Sequence, residues 1–379
     1  MVLKQDFKDL DRILNNDEYS KNNILELKSI LYGYIISSCH ILDDTIFLAN
    51  RRSLTDPTPH LIALDSRTLE KKWQFNYKDG EIGSGNIVND SNLLYFGDEK
   101  FLHALDIRTG DEKFKFEYPN MCKRDDTVMI GRTGIDDKFL YLADYKQVYA
   151  IDLKTNLVKW EFPPKDIEDF NVFPCYELVG LPMVDDGNVC LVFENRKICS
   201  LDRNNGKERW KYEMQDKRFK RSALADNFEL TFECLTSPRS PTFNKKHIIL
   251  GDEENVYSLD ADNGKLKWTF PIKKNGKIEL HCEDDNVFLS DSANLYILGN
   301  SKGEERLRIP YKNWITSMVT DDKYLYVSSN GDGRLNLYDK NNLKEKLEIK
   351  LDSTIFSILI RKKVAYINTC NNLYVFNIK

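Results

Sequence analysis

The chain has 379 residues, 30% of them charged, and its 60 acidic side chains against 55 Lys and Arg leave a net charge of −5. That balance supplies no overall basic field for nucleic acid or for an anionic membrane surface. With 41% hydrophobic residues and no run of 18 apolar ones, the sequence also offers no membrane-spanning helix.

In chain order, the first 23 residues form an extension that opens as MVLKQDFKDLDRILNND. Val2, Leu3, Phe7, Leu10, Ile13 and Leu14 there share one face among charges. This predicts a short amphipathic helix, acting as a lid on the domain or as a docking helix. It is not the uninterrupted apolar core of a signal peptide, so a cytoplasmic protein is expected. Residues 24–32, ILELKSILY, then read as a strand that opens a single domain over 24–379.

From residue 60 onward one phrase recurs. It appears as HLIALDSRTLEKKWQF (Asp65, Trp73), FLHALDIRTGDEKFKF (Asp106, Phe114), QVYAIDLKTNLVKWEF (Asp152, Trp160), KICSLDRNNGKERWKY (Asp202, Trp210) and NVYSLDADNGKLKWTF (Asp260, Trp268). Weaker copies follow at Gly299–Leu307, at Asp339–Leu347 and, truncated, at Asn377. Every full copy keeps an interval of eight between the two marked positions, and four of the five tryptophans occupy the second. Before each copy stand two more apolar runs separated by a turn, often Asp-Asp, as in GLPMVDDGNVCLVFENRKICSLD. Each unit is therefore a four-stranded antiparallel meander.

A lone meander cannot cover both its faces, so such units are stable when stacked radially. Successive copies lie 38 to 58 residues apart, the length of a propeller blade plus variable loops. The expectation is an all-β, eight-bladed β-propeller of four-stranded antiparallel blades, with seven blades as the alternative if one weak copy is not a blade. The eighth unit stops after its third strand at Lys379, and residues 24–32 are expected to supply the missing outer strand.

The repeated A-x-D-x-x-T-G-x-x-x-W pattern resembles the pyrroloquinoline-quinone-type propeller repeat, found in quinoprotein alcohol dehydrogenases and BamB-type assembly factors. WD40 repeats fit less well, since their Gly-His and Trp-Asp signatures are missing. The resemblance implies the fold. Many members bind no quinone. It implies for a quinone enzyme a vicinal Cys-Cys, an acidic and amide calcium set and an axial Asp. This chain has no Cys-Cys.

The recurring Asp65, Asp106, Asp152, Asp202, Asp260 and Asp339 read as turn residues, each accepting backbone N–H groups two and three positions on. Trp73, Trp160, Trp210 and Trp268 read as wedges between blades. The Asp-Asp pairs at 43, 136, 185, 284 and 321 read as hairpin turns rather than acid–base or calcium sites. Five histidines are scattered without metal-ligand spacing, and Gly83-Ser-Gly85 lacks the third glycine of a nucleotide loop. Eight cysteines without C-x-x-C read as reduced and buried, a Cys190–Cys199 bridge being the sharper alternative. No catalytic residue, metal or cofactor is assigned.

In an up-and-down blade, the second-to-third and blade-to-blade connections emerge on one face, and the short Asp turns on the other. The first face is irregular, with excess length at 51–59, 119–126, 163–177 and 211–231. These loops carry Phe170, Phe173, Tyr176, Phe228 and the run Lys217, Arg218, Phe219, Lys220, Arg221, an aromatic and arginine composition suited to binding a protein. RNA contact by the basic run is the lesser reading for an acidic chain. The expectation is a non-enzymatic cytosolic scaffold, monomeric on its own, that binds another protein. An immunity protein blocking a toxin is a specialised form. The alternative is a small-molecule or quinone site in the central channel, where Arg132 could meet an anion.

Overall fold

Within each unit the second and third strands are continuously apolar, whereas the fourth alternates. Leu93–Gly97 and Phe101–Asp106 are buried along almost their whole length, while Lys71–Asn76 buries mainly Trp73. A strand reads this way when sheets cover both its faces, and an alternating strand when it lies at the rim. In the computed structural model these strands form eight separate four-stranded antiparallel sheets arranged around an axis. The structure describes residues 24–32, 36–50, 60–77, 87–98, 100–117, 132–143, 147–163, 182–185, 187–193, 197–213, 242–244, 246–251, 254–272, 278–291, 293–311 and 313–379.

The inner strands of blades one to eight are Ile36–Leu42, Ile87–Asn89, Arg132–Ile135, Met183–Asp185, Thr242–Asn244, Glu279–Glu283, Ile315–Thr320 and Ile355–Arg361. Most neighbouring pairs of them touch around the centre. The outer strand of blade eight is Leu25–Tyr32, antiparallel to the C-terminal strand Asn372–Ile378, with Leu25 opposite Ile378 and Tyr32 opposite Asn372. First and last segments of the chain thus close the ring as expected, and the blade count is eight. The expected N-terminal helix lies outside the described residues.

Apolar burial is organised by seam. Eight clusters are present among the described residues, and each joins two adjacent blades. Between blades three and four, Tyr141 and Trp160 meet Val189 and Leu201. Between blades eight and one, Tyr366 and Leu373 meet Ile46 and Leu48. No blade owns a core, so each unit needs both neighbours.

The tryptophans act at these seams. The indole N–H groups of Trp73, Trp160, Trp210 and Trp268 donate to the carbonyls of Ile107, Arg203, Ala261 and Asn300 in the following blade, at 2.7–3.0 Å. The ring lies flat against the turn glycine of that blade. A Cβ on Gly110, Gly206, Gly264 or Gly303 would fall 2.5–2.7 Å from indole Cδ2. These four glycines also have φ between 69° and 76°, so two constraints select glycine there.

Candidate functional site

The recurring carboxylates are turn residues. Asp65, Asp106 and Asp152 each accept N–H bonds from residues two and three positions on, at 2.9–3.1 Å. Those donors, Thr68 ahead of Arg67, hold the Asp65 carboxyl down at about 2. Asp202 and Asp260 are depressed chiefly by Arg209 and Lys267. Asp339 accepts from Asn341 N–H at 3.1 Å. Asp136 and Asp321, from the first hairpin turns, likewise accept the N–H groups two and three positions on, and also receive the Tyr141 and Tyr326 hydroxyls. Carboxylates saturated by their own turns offer no general base.

A feature absent from the sequence reading explains the second oxygen of the motif Asp. Every outer strand bulges, and the bulged residue is always a cation: Lys28, Lys72, Lys113, Lys159, Arg209, Lys267, Arg306 and Lys346. The bulge turns the side chain back over the turn. Lys72 meets Asp65 at 3.5 Å, Lys267 meets Asp260 at 2.7 Å and Lys346 meets Asp339 at 3.8 Å. Where the motif Asp is replaced by Gly299, the Glu304 carboxylate fills the space a Cβ would take, and Arg306 pairs with it at 3.0 Å. The signal in the sequence was Lys or Arg immediately before each tryptophan position.

Two groupings resemble catalytic sets and are closed. His103 is 2% exposed, with Nδ1 2.6 Å from Glu112 and Nε2 2.8 Å from Asp98, and it stacks on Phe96. No reacting atom can approach it. Cys39, Cys190, Cys199, Cys282 and Cys370 are free thiols, so the Cys190–Cys199 bridge is not formed. Burial pushes the Cys39 thiol up to about 12 and Cys199 well above its usual range, which removes the thiolate a nucleophile needs. Among the described residues no group of three or more His, Cys, Asp or Glu is placed to hold a metal ion.

The irregular face is where the sequence placed binding. Phe170, Phe173, Tyr176, Lys217, Arg218, Phe219, Lys220, Arg221 and Phe228 all lie outside the described residues, as do 51–59, 119–126 and Gly83–Gly85. Arg132 stands on the inner strand of blade three, its side chain likewise outside them. On the same face of blades seven and eight, two aromatics are exposed: Trp314 at 45% and Phe356 at 53%. Trp314 directly precedes the inner strand Ile315–Thr320, and Phe356 is the second residue of Ile355–Arg361. Both therefore stand at the rim of the central channel. The sequence held the signal for Trp314, the one tryptophan off the repeat position; Phe356 carried none.

No helix among the described residues is long and apolar enough to cross a membrane. No curated protein matches the sequence. Among solved structures the chain is similar to BamB from Moraxella catarrhalis, with 15% identity, TM-score 0.69, and coverage of 93% of this chain and 100% of that one. It is similar to the computationally designed Ika8 protein, with 10% identity, TM-score 0.68 and coverage of 91% and 97%. It is also similar to quinohemoprotein alcohol dehydrogenase from Comamonas testosteroni, with 12% identity, TM-score 0.66 and coverage of 96% and 78%. At such identities these likenesses establish the fold alone. A family model described as outer membrane protein assembly factor BamB matches residues 60–342 and 252–377, and on that match the chain belongs to the BamB-like family of pyrroloquinoline-quinone-type β-propellers.

Proposed function

We propose that this chain is a non-enzymatic propeller that binds another protein through its irregular face, acting in the cytosol as a monomeric scaffold. The observation that carries the reading is the pair Trp314 and Phe356, half-exposed at the starts of adjacent inner strands in a ring whose other tryptophans are 7–8% exposed. Large aromatics left in water on a rigid scaffold are the usual anchors of protein interfaces. The family match supports it, since an assembly factor works through other proteins. The loops carrying Phe170, Phe173, Arg218 and Arg221 belong to the same proposed surface. An immunity protein that occludes a toxin is one specialised form of it.

The competing class is a small-molecule or quinone enzyme using the channel, which the dehydrogenase likeness brings forward. Titration of the purified chain with pyrroloquinoline quinone and calcium separates the two. We expect no saturable absorbance change and no dye-linked alcohol oxidation; stoichiometric binding with oxidation would overturn the scaffold reading.

A further inference from the structure

An asparagine followed by glycine can react with its own backbone, because the glycine amide nitrogen reaches the side-chain carbonyl carbon wherever the chain is free to turn. Three such pairs lie among the described residues: Asn205-Gly206, Asn263-Gly264 and Asn330-Gly331. Two of them are held shut. The side-chain oxygens of Asn205 and Asn263 accept the N–H groups of Lys207 and Lys265 at 2.9 and 3.0 Å. Gly206 and Gly264 are buried, their N–H groups donate to the Asp202 and Asp260 carbonyls at 2.8 Å, and the Trp160 and Trp210 rings lie against them. Neither pair can rotate without unseating an indole.

Asn330-Gly331 is different. It lies in the turn between the second and third strands of blade seven, Tyr324–Ser329 and Arg334–Asp339, on the irregular face, and both residues are exposed. The Asn330 side chain has no hydrogen-bond partner among the described residues. Gly331 has φ 89° and nothing within 4 Å of a Cβ built on it, so the backbone has room to turn. Its N–H donates to the Thr354 hydroxyl at 3.2 Å, an exposed bond that water can replace. The pair that follows, Asp332-Gly333, is closed again. Asp332 Oδ1 accepts the Ser329 hydroxyl at 2.5 Å and the Arg334 N–H at 3.1 Å, and a Cβ on Gly333 would fall 2.7 Å from the Leu351 carbonyl oxygen.

We infer that Asn330 is a site of spontaneous covalent modification in the folded protein, converting to aspartate and isoaspartate. The Gly331 amide nitrogen, giving up its proton, bonds to Asn330 Cγ; the Cγ–Nδ2 bond breaks, and the side-chain nitrogen leaves with that proton as ammonia. Water then opens the cyclic imide, at Cγ to give aspartate or at the main-chain carbonyl to give isoaspartate. No oxidant or cofactor is needed. Either product puts a new negative charge at a residue whose N–H donates to the Trp314 carbonyl at 2.7 Å. Isoaspartate also adds a methylene to the main chain between that bond and the one to Thr354. This chemistry is independent of the protein-binding reading, although it alters the face which that reading assigns to the partner.

The test incubates the full chain at mildly alkaline pH, well below its thermal transition, and digests samples with trypsin over time. Mass spectrometry of the peptide 324–334, YLYVSSNGDGR, reads loss of the amide at 330, and fragmentation separates aspartate from isoaspartate. Peptides holding Asn205 and Asn263 are read in the same samples. In the folded chain, conversion at 330 should outrun that at 205 and 263 by about tenfold or more. In the urea-unfolded chain the three rates should draw together, since turns and indoles no longer discriminate between them. N330Q, whose longer side chain closes a less favourable ring, should keep the wild-type thermal transition and lose the reaction. Equal rates at all three positions in the folded chain would overturn the inference. So would a 330 amide that persists in the folded chain while the synthetic peptide converts, or a lead for 330 that is undiminished in urea.

Discussion

At the residue scale, tryptophan and glycine act as one unit spread over two blades. Where a blade ends in Trp73, Trp160, Trp210 or Trp268, the next turn carries Gly110, Gly206, Gly264 or Gly303 against the ring. Where the preceding blade offers Phe114, Leu307 or Ser29 instead, the same left-handed position holds Asn156, Leu343 or Leu69, at φ 57°, 51° and 61°. The positive φ is common to all seven turns, so conformation alone does not demand glycine; the indole does. Gly206→Ala should therefore cost about 1–3 kcal/mol by overpacking, and distinctly less in a Trp160→Ala background. Trp160→Ala itself should cost roughly 3–5 kcal/mol as a buried aromatic truncation. A double-mutant cycle by urea unfolding measures the coupling, and additive losses would contradict it. The carboxylates make a second prediction. The folded pKa of Asp65, at about 2, lies below an unfolded value of about 3.9. The ionised form is thus the one stabilised by folding, the contribution is complete above about pH 4, and it fades as pH falls toward 2. Asp106, Asp152, Asp202 and Asp260 shift the same way. Urea midpoints should fall steeply across that window, and Asp65→Asn should flatten part of the slope.

At the scale of elements, the ring depends on a strand remote in sequence from its blade. Leu25–Tyr32 covers the edge of Asn372–Ile378, and Lys28 also reaches the Ser66 carbonyl of blade one at 3.3 Å. A chain beginning at Gly33 would expose that edge and take Leu25, Leu27 and Ile30 out of their core cluster. It should lose cooperative unfolding and self-associate, and a peptide of residues 24–33 added in excess should restore a single thermal transition; a truncated ring that stays monomeric with an unchanged transition would contradict the closure. The inner strands carry another dependence. In blades two, three and seven a second-strand tyrosine donates to the Asp of its own hairpin, as Tyr95 does to Asp90 at 2.8 Å. Blades one and six have Phe47 and Phe288 instead, and opposite them His40 and His281 reach Asn89 and Thr320 of the next blade at 2.8 and 2.7 Å. Burial lowers both imidazole pKa values, with Arg361 and Asn89 the other groups acting on His40, and Glu283 and Lys340 on His281. The neutral rings are favoured by folding, so this contribution is complete above about pH 6.5 and is lost as pH falls below it. Thermal midpoints should begin to drop from pH 6.5 downward, well before the carboxylate window, and His40→Phe with His281→Phe should shrink that early limb, the remainder belonging to His247, whose pKa burial also lowers.

At the scale of the molecule, much of the architecture was legible because each device is repeated. Periodicity revealed the meander, the truncated last unit pointed to closure, and the Asp and Trp positions announced their turns and seams. The bulged cations are equally regular, yet a bulge has no composition of its own, so the roles of Lys72 and Arg209 became visible only in the strand registers. The candidate surface was legible only in part. Trp314 was overlooked although it is the one tryptophan off the repeat position, whereas Phe356 sits in an ordinary apolar run, IFSILI, and only its bulge and exposure distinguish it.

In the proposed function this ring holds another protein on its irregular face. The most direct measurement is affinity purification of the tagged chain from its own cells, with mass spectrometry of what accompanies it. Wild type is compared with the loop variant F170A/F173A/R218A/R221A and the rim variant W314A/F356A, each first shown to retain the wild-type thermal transition. One protein should be recovered in stoichiometric amount with wild type and be depleted by the irregular-face substitutions. Recovery of the same protein undiminished by both variants would contradict the assignment of the face, and a wild-type chain that captures nothing would contradict the claim itself.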